Sequence, residues 1–300
     1  MQQRNLRKDM WDTFSPIVLQ IAVAFVVELI VVYVCYMQYL PELASTSMTQ
    51  ERINEIIIEI TEKINPYITE ISALSALVTI PFLALMMNSD RNKERKAGFI
   101  SNKRAPLAQY IYVPIIGFAF SLGLNNILLL SNLAEHSESY QETAEILYSP
   151  SFPVQILCVG IIIPIMEEMI FRGLIYRRMR HNVSMWKAMM FSALMFGFYH
   201  GNSVQFVYAF LSGILLAYLY EKYGSIKAPV LAHMLMNIVS CVLTEVDVFT
   251  WIFANVMRVT TITVACAAIA STMFVLINKI NEKPETIEMT NEPQDVVDGQ

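Results

Sequence analysis

Glu167 and Glu168 stand side by side in the run VQILCVGIIIPIMEEMIFRGLIYRRMR, and Arg172 follows four residues after the second glutamate. His200 lies near the end of FSALMFGFYHGN, four residues after Phe196, and His233 precedes Asn237 by the same interval in APVLAHMLMNIVS. Carboxylates and imidazoles are the side chains that move protons near neutral pH. Two imidazoles and a carboxylate, Glu167, His200 and His233, would also make a zinc ligand set with a position left open for water. No His-x-x-x-His pair occurs in the chain, so a His-Glu-x-x-His zinc helix is excluded. The residues alone leave metal-free and zinc-assisted chemistry both open, with the metal-free form favoured.

Helix geometry sorts the charges. Glu168 and Arg172 share a face and can pair, whereas Glu167 is turned by about 100° and is free to face a separate pocket. Pro164 lacks a backbone donor and clashes one turn back, at Gly160, which predicts a kink just before the glutamates. Each charge sits in an apolar stretch where a central ionised residue costs ~2.5–3.5 kcal/mol. Such residues face a bundle interior or a wet cavity and carry function. A lone histidine in an apolar helix is more often an interhelical hydrogen bonder. Two histidines, two glutamates and an asparagine in one bundle shift that balance toward chemistry.

The elements that hold these residues are membrane helices. The chain has 300 residues, 55% hydrophobic and 16% charged, against roughly 25% charged in an average soluble domain. Apolar runs of the length that crosses ~30 Å of hydrocarbon fall at 15–37, 68–88, 108–131, 154–176, 185–201, 203–220, 229–244 and 259–277. The expected fold is all-α, a polytopic bundle of about eight transmembrane helices. It divides into N-terminal helices over 1–150, a functional core over 151–244, a last membrane helix over 245–281 and a disordered tail over 282–300. Counting ~1.5 Å per residue from the ends of the spans places the polar cluster in the middle to cytoplasmic half of the membrane.

Orientation follows the lysines and arginines of short loops. Arg4, Arg7 and Lys8, the group Arg91 to Arg104, Arg177, Arg178, Arg180, Lys187, Lys222, Lys227, Lys279 and Lys283 all fall on one side of an eight-span chain, while the alternate loops are rich in glutamate. Both termini are then cytoplasmic, and the strong bias suits a bacterial plasma membrane. The first apolar run is too long for a cleavable signal and lacks a small-residue site after Tyr36.

Other features are quieter. Ile53, Ile56, Ile57, Ile60 and Ile64 recur at helical spacing opposite Glu51, Glu55, Glu59 and Glu62, which predicts an amphipathic helix over 50–64 that lies on the outer membrane surface or caps the bundle. Cys35, Cys158, Cys241 and Cys266 lie in spans without CxxC spacing and read as small buried hydrophobes. Nothing resembles a nucleic-acid surface, and no polar motif repeats as it does in many transporters.

In their order on successive helices, Glu167-Glu168-x-x-x-Arg172, Phe196-x-x-x-His200 and His233-x-x-x-Asn237 resemble the three motifs of the CPBP (Abi) family, over about Phe152 to Val242. That family includes the type II CAAX prenyl endopeptidases and bacterial proteases of bacteriocin processing or self-immunity. The resemblance implies intramembrane endopeptidase activity, with Glu167 and His200 activating water and His233 and Asn237 stabilising the oxyanion. Glu168 and Arg172 would support the helix and tune the charge. The implied partners are a peptide or lipidated-peptide substrate, such as a CAAX tail or a bacteriocin or pheromone precursor, and membrane lipid. Two other classes stay open: a non-catalytic immunity or scaffold protein, and a proton-coupled transporter in which the buried groups form a relay.

Overall fold

The computed structural model describes residues 6–43, 49–98 and 102–280. The polar segment assigned above to a tail, 282–300, lies outside them, as do Arg4 and Lys283. All regular structure among the described residues is helical.

Ten helices make the framework: α1 (Leu6–Met37), α2 (Gln50–Ile64), α3 (Ile68–Lys96), α4 (Tyr112–Leu130), α5 (Glu138–Tyr148), α6 (Phe152–Arg180), α7 (Met185–Tyr199), α8 (Ser203–Tyr223), α9 (Lys227–Glu245) and α10 (Val256–Asn278). Short helical turns at Leu40–Leu43, Leu107–Ile111 and Val248–Phe253 fill the connections. Seven described helices are long and apolar enough to cross a membrane. The run expected to be an eighth span is α7, whose 15 residues reach only about 22 Å. It stops early because Gly201, at φ +79°, turns the chain back into α8, whose start is capped by the Asn202 side chain accepting from the Gln205 amide at 2.9 Å. His200 therefore sits at a helix end inside the bundle.

Burial runs outward from α6. Ile170, Phe171, Arg172, Leu174, Ile175 and Tyr176 are fully enclosed, with α1, α3, α7 and α8 packed around them. At the periphery α1, α3 and α10 present Ile21, Phe25, Leu77, Phe82, Val264 and Phe274 outward. Apolar side chains on that scale make a lipid-facing surface. The protein is a multi-pass membrane protein.

Two sequence expectations change in detail. The segment 50–64 is helical, as its spacing predicts, and Thr49 caps it by accepting from the Arg52 amide. It is continuous with the next helix, however. One 3-10 turn at Asn65–Tyr67 joins it to α3 in a 47-residue stretch. Only Ile56 and Ile60 are buried, and Ile57 is exposed; neighbours on a helix are about 100° apart, so one packed edge does not cover all five isoleucines. Helix α5, unforeseen, forms in the glutamate-rich connection, where the Ser137 hydroxyl accepts from the Tyr140 amide.

The basic end of the bundle is sealed by ion pairs. Arg177 grips Glu94 with two nitrogens, Arg178 donates to Asp90 at 2.6 Å, and Arg180 donates to Glu221 at 3.0 Å. Tyr176 donates to the other Glu221 oxygen at 2.7 Å, and Lys222 donates to the Asn278 carbonyl at 3.1 Å. The four cysteines are free, and three are buried.

Candidate active site

The site is built on an irregular stretch of α6. Residues Cys158–Ile162 and Met169–Tyr176 are π-helical and flank the regular turn Ile163–Glu168. Such bulges recur at functional sites because they re-aim side chains. The first has a cause in the sequence. The Ile163 amide bonds back five residues to the Cys158 carbonyl, and in that register the next donor, for Val159, would be Pro164, which has no N–H. The orphaned carbonyl is taken by Asn237, whose Nδ2 donates to the Val159 oxygen at 2.9 Å. The expected disturbance at Pro164 thus takes the form of a π turn, and Asn237 ties α9 to it. Asn237→Ala is expected to lower stability by ~1–3 kcal/mol, the cost of leaving such a carbonyl unpaired, read from thermal unfolding in detergent; a change under 0.5 kcal/mol on that ~1 kcal/mol scale would show that the bond is dispensable.

Glu168 and Arg172 pair as their spacing predicts, and both are completely buried. Arg172 Nη1 donates to Glu168 Oε1 at 2.6 Å and Nη2 donates to the Gly213 carbonyl at 3.2 Å. Glycine is needed there: a Cβ at position 213 would lie 2.9 Å from the Ala193 Cα and 3.3 Å from Arg172 Nη2. The guanidinium also stacks over Phe196, 4.4 Å from the ring centre, a favourable cation–π geometry. Phe196 in turn meets His200 and His233 edge to face, at 4.8 and 5.6 Å between ring centres. One aromatic ring thereby spaces the arginine from both imidazoles.

Glu168 has a second partner that spacing did not reveal. His233 Nδ1 lies 2.8 Å from Glu168 Oε1, so the carboxylate accepts the Nδ1 proton and fixes the ring, as the third member of a catalytic triad fixes its histidine. His233 Nε2 then points toward Glu167, with Nε2 and Oε2 3.6 Å apart. Glu167 is turned away from Arg172, as the 100° step predicts, and is almost fully buried. His200 Nδ1 lies 2.8 Å from the Phe196 carbonyl. A carbonyl can only accept, so Nδ1 carries the hydrogen and the neutral ring keeps Nε2 as an acceptor.

Glu167, His200, His233 and Asn237 line one cavity of about 750 Å³. Its other walls include Gln20 and Glu28 of α1, Ser72 and Ser75 of α3, and Tyr140 and Tyr148 of α5. The cavity wall also includes Tyr199 and Tyr208, which the motif reading passed over. Among the described residues no set of three or more His, Cys, Asp or Glu side chains has a metal-holding arrangement. In both imidazoles Nδ1 is already committed to a protein oxygen. The suggested zinc set of Glu167, His200 and His233 does not form such an arrangement, while the hydrogen bonds at Nδ1 leave Nε2 as the nitrogen each ring has open.

Chemically, the cavity offers a carboxylate next to an imidazole whose far nitrogen is held by a second carboxylate, with another acceptor nitrogen on His200. That arrangement can take up a proton, hold it and return it in a pocket within the helix bundle.

Comparison with known proteins converges on the same segment. Residues 149–239 match the family described as type II CAAX prenyl endopeptidase Rce1-like. The Bacillus subtilis (strain 168) protein named "Putative membrane peptidase YdiL" is 28% identical over 105 residues, 35% of this chain and 42% of that protein, so the match spans less than half of the relative's length. No solved structure matches. The segment 149–239 is thus similar to that family, and the three motifs fall within it.

Proposed function

We propose that this CPBP-type core is an intramembrane endopeptidase, in which Glu167 and His200 activate water against a peptide bond of a membrane-associated peptide. The observation that carries the reading is the convergence of Glu167, His200 and His233 on one cavity in the depth of the bundle. Glu167 takes a proton from water as the oxygen bonds to the substrate carbonyl carbon. The carbonyl becomes an oxyanion, the C–N bond breaks, and the proton passes to the leaving amine. His200 Nε2 is the second acceptor within the same pocket.

The oxyanion falls to His233 and Asn237 in this reading. His233 can donate from Nε2 while Nδ1–H is held by Glu168 only if the ring carries both protons. Two carboxylates, one guanidinium and one imidazolium then sum to zero charge, a balance suited to an apolar surround. Asn237 has one amide hydrogen committed to Val159 and one left for the substrate. Glu168 and Arg172 act as positioning residues. The charge bias of the loops supports cytoplasmic termini in a bacterial plasma membrane, and in this reading the substrate is a peptide precursor or a lipidated tail.

The test is cleavage of a quenched-fluorescent peptide library by detergent-purified wild type and Glu167→Ala, each with and without a zinc chelator. Turnover that disappears in the variant and survives chelation supports the metal-free reading. Loss on chelation with rescue by zinc reverses the metal assignment, with Glu167, His200 and His233 as the ligands to test. Equal turnover by wild type and Glu167→Ala in a folded protein removes the catalytic assignment. Flux across proteoliposomes without cleavage would favour a proton-coupled transporter, and partner capture unaffected by Glu167→Ala would favour a scaffold.

A further inference from the structure

Glu28 is the charge the motifs do not account for. It interrupts AVAFVVELIVVYV in α1, nine residues before Met37, the end of that span, or about 14 Å along the helix. Glu28 is itself exposed, like its neighbours Val26, Leu29 and Ile30, so it stands at the rim of the cavity it lines, and its carboxylate makes no ion pair or hydrogen bond with any described residue. An ionisable residue at that depth without a partner marks a binding function more often than a structural one.

The cavity says what kind of partner is missing. Gln20, Ala24 and Glu28, each four residues after the last, place one stripe of α1 along its wall. At the inner end of the stripe the buried Gln20 donates to Ser75 Oγ at 3.2 Å, and its Oε1 accepts no bond. Apart from the histidines, the charged side chains lining the cavity are Glu28 and Glu167, and none is lysine or arginine. The wall therefore offers acceptors and negative charge to whatever enters, which disfavours a free carboxylate and favours a cation.

Helix polarity gives the direction of entry. The lining comes from the first turns of α3 and α8, the last turns of α4 and α9, and α5, so the cavity extends toward the end of the bundle opposite Arg177, Arg178, Arg180 and Lys222. The basic end is the one closed by ion pairs. This differs from the cytoplasmic-side position expected from counting residues: the reacting groups open away from the basic face.

We infer that Glu28 reads a lysine or arginine side chain of the peptide substrate, which enters from the face opposite the basic end of the bundle and runs along α1 toward Glu167. The inference rests on the peptidase reading for its chemistry, and its test separates the two. The probes are quenched-fluorescent peptides with an apolar core of about a dozen residues carrying one lysine at each position in turn, paired with versions in which norleucine replaces the lysine.

For wild type, lysine at one or two adjacent positions should lower KM at least tenfold relative to norleucine. Glu28→Gln should remove that preference while leaving kcat on the norleucine peptides unchanged. Glu28→Lys should shift the preference toward glutamate at the same position. Binding of the dye-labelled peptides to Glu167→Gln, alone and combined with Glu28→Gln, is read in parallel by fluorescence anisotropy and does not depend on turnover. If wild type cleaves nothing but Glu167→Gln binds the lysine peptide and loses it with Glu28→Gln, the peptidase reading fails and the assignment of Glu28 stands. Equal KM for lysine and norleucine peptides, or peptide binding that is absent or indifferent to Glu28→Gln, overturns the inference.

Discussion

Glu167→Gln is expected to lower peptide turnover by about 100- to 10,000-fold, the contribution of a positioned general base, while leaving the unfolding temperature of the detergent-solubilised protein unchanged or slightly raised. The two halves of this expectation come from the same geometry. Glu167 is nearly enclosed, yet His233 Nε2 is 3.6 Å from its Oε2, beyond a good hydrogen bond. An amide of the same shape fills the same space, gives up no strong bond and removes a buried charge, so the fold loses little. It cannot accept a proton from water, so the chemistry loses its base. Turnover numbers with quenched peptides and thermal unfolding on the same preparation check both halves. A variant that keeps more than a tenth of wild-type turnover, on the ~100-fold scale of base removal, would move the base elsewhere in the cavity, with His200 the next candidate.

What the sequence discloses about this site depends on contrast. Glu167, Glu168 and Arg172 stand out because hydrocarbon penalises charge, and the 3.6-residue period then predicts both the Glu168–Arg172 pair and the outward turn of Glu167. Membrane spans are visible for the same reason. The 15-residue α7 shows where that signal misleads: hydropathy sees an apolar run but not that Gly201 ends the helix short. Contacts across helices were invisible because they depend on how helices cross. The Glu168–His233 bond joins residues 65 apart in the chain, and nothing in either run announces it. Phe196 reads as one more core aromatic until Arg172, His200 and His233 are found around its ring.

Some missed features had a local signal that was read incompletely. Pro164 predicts a kink, but which carbonyl it leaves without a donor follows only from the π register, and Asn237 answers it. Glu28 had the same contrast as the motif glutamates, and its isolation in the first span deserved the same weight. The direction of the cavity could not be obtained by counting residues from helix ends, because every helix crosses both halves of the bundle. It becomes visible only when the lining residues of antiparallel helices are seen to share one end.

The Glu168–Arg172 pair should reveal itself through non-additivity. Glu168→Gln leaves a guanidinium that is fully buried with no negative charge beside it and the Gly213 carbonyl and the Phe196 face for compensation, and is expected to cost ~3–5 kcal/mol, the usual loss on breaking a buried ion pair. Arg172→Met leaves Glu168 with His233 Nδ1 still donating to it, so its cost should be the smaller of the two. The double variant Glu168→Gln/Arg172→Met removes both charges and fills similar volume. Since a buried pair is often no more stable than its apolar replacement, the double variant should recover much of the stability lost by Glu168→Gln, with a coupling of at least ~1 kcal/mol between the sites. Turnover should not recover with it, because a glutamine at 168 no longer holds the His233 Nδ1 proton with a negative charge. Unfolding by mixed-micelle denaturant titration gives the stability cycle and peptide cleavage gives the activity cycle. Recovery of both together would make Glu168 a purely structural residue, whereas stability without activity assigns it the positioning of His233. Additive losses in stability would show that the two buried charges do not depend on each other.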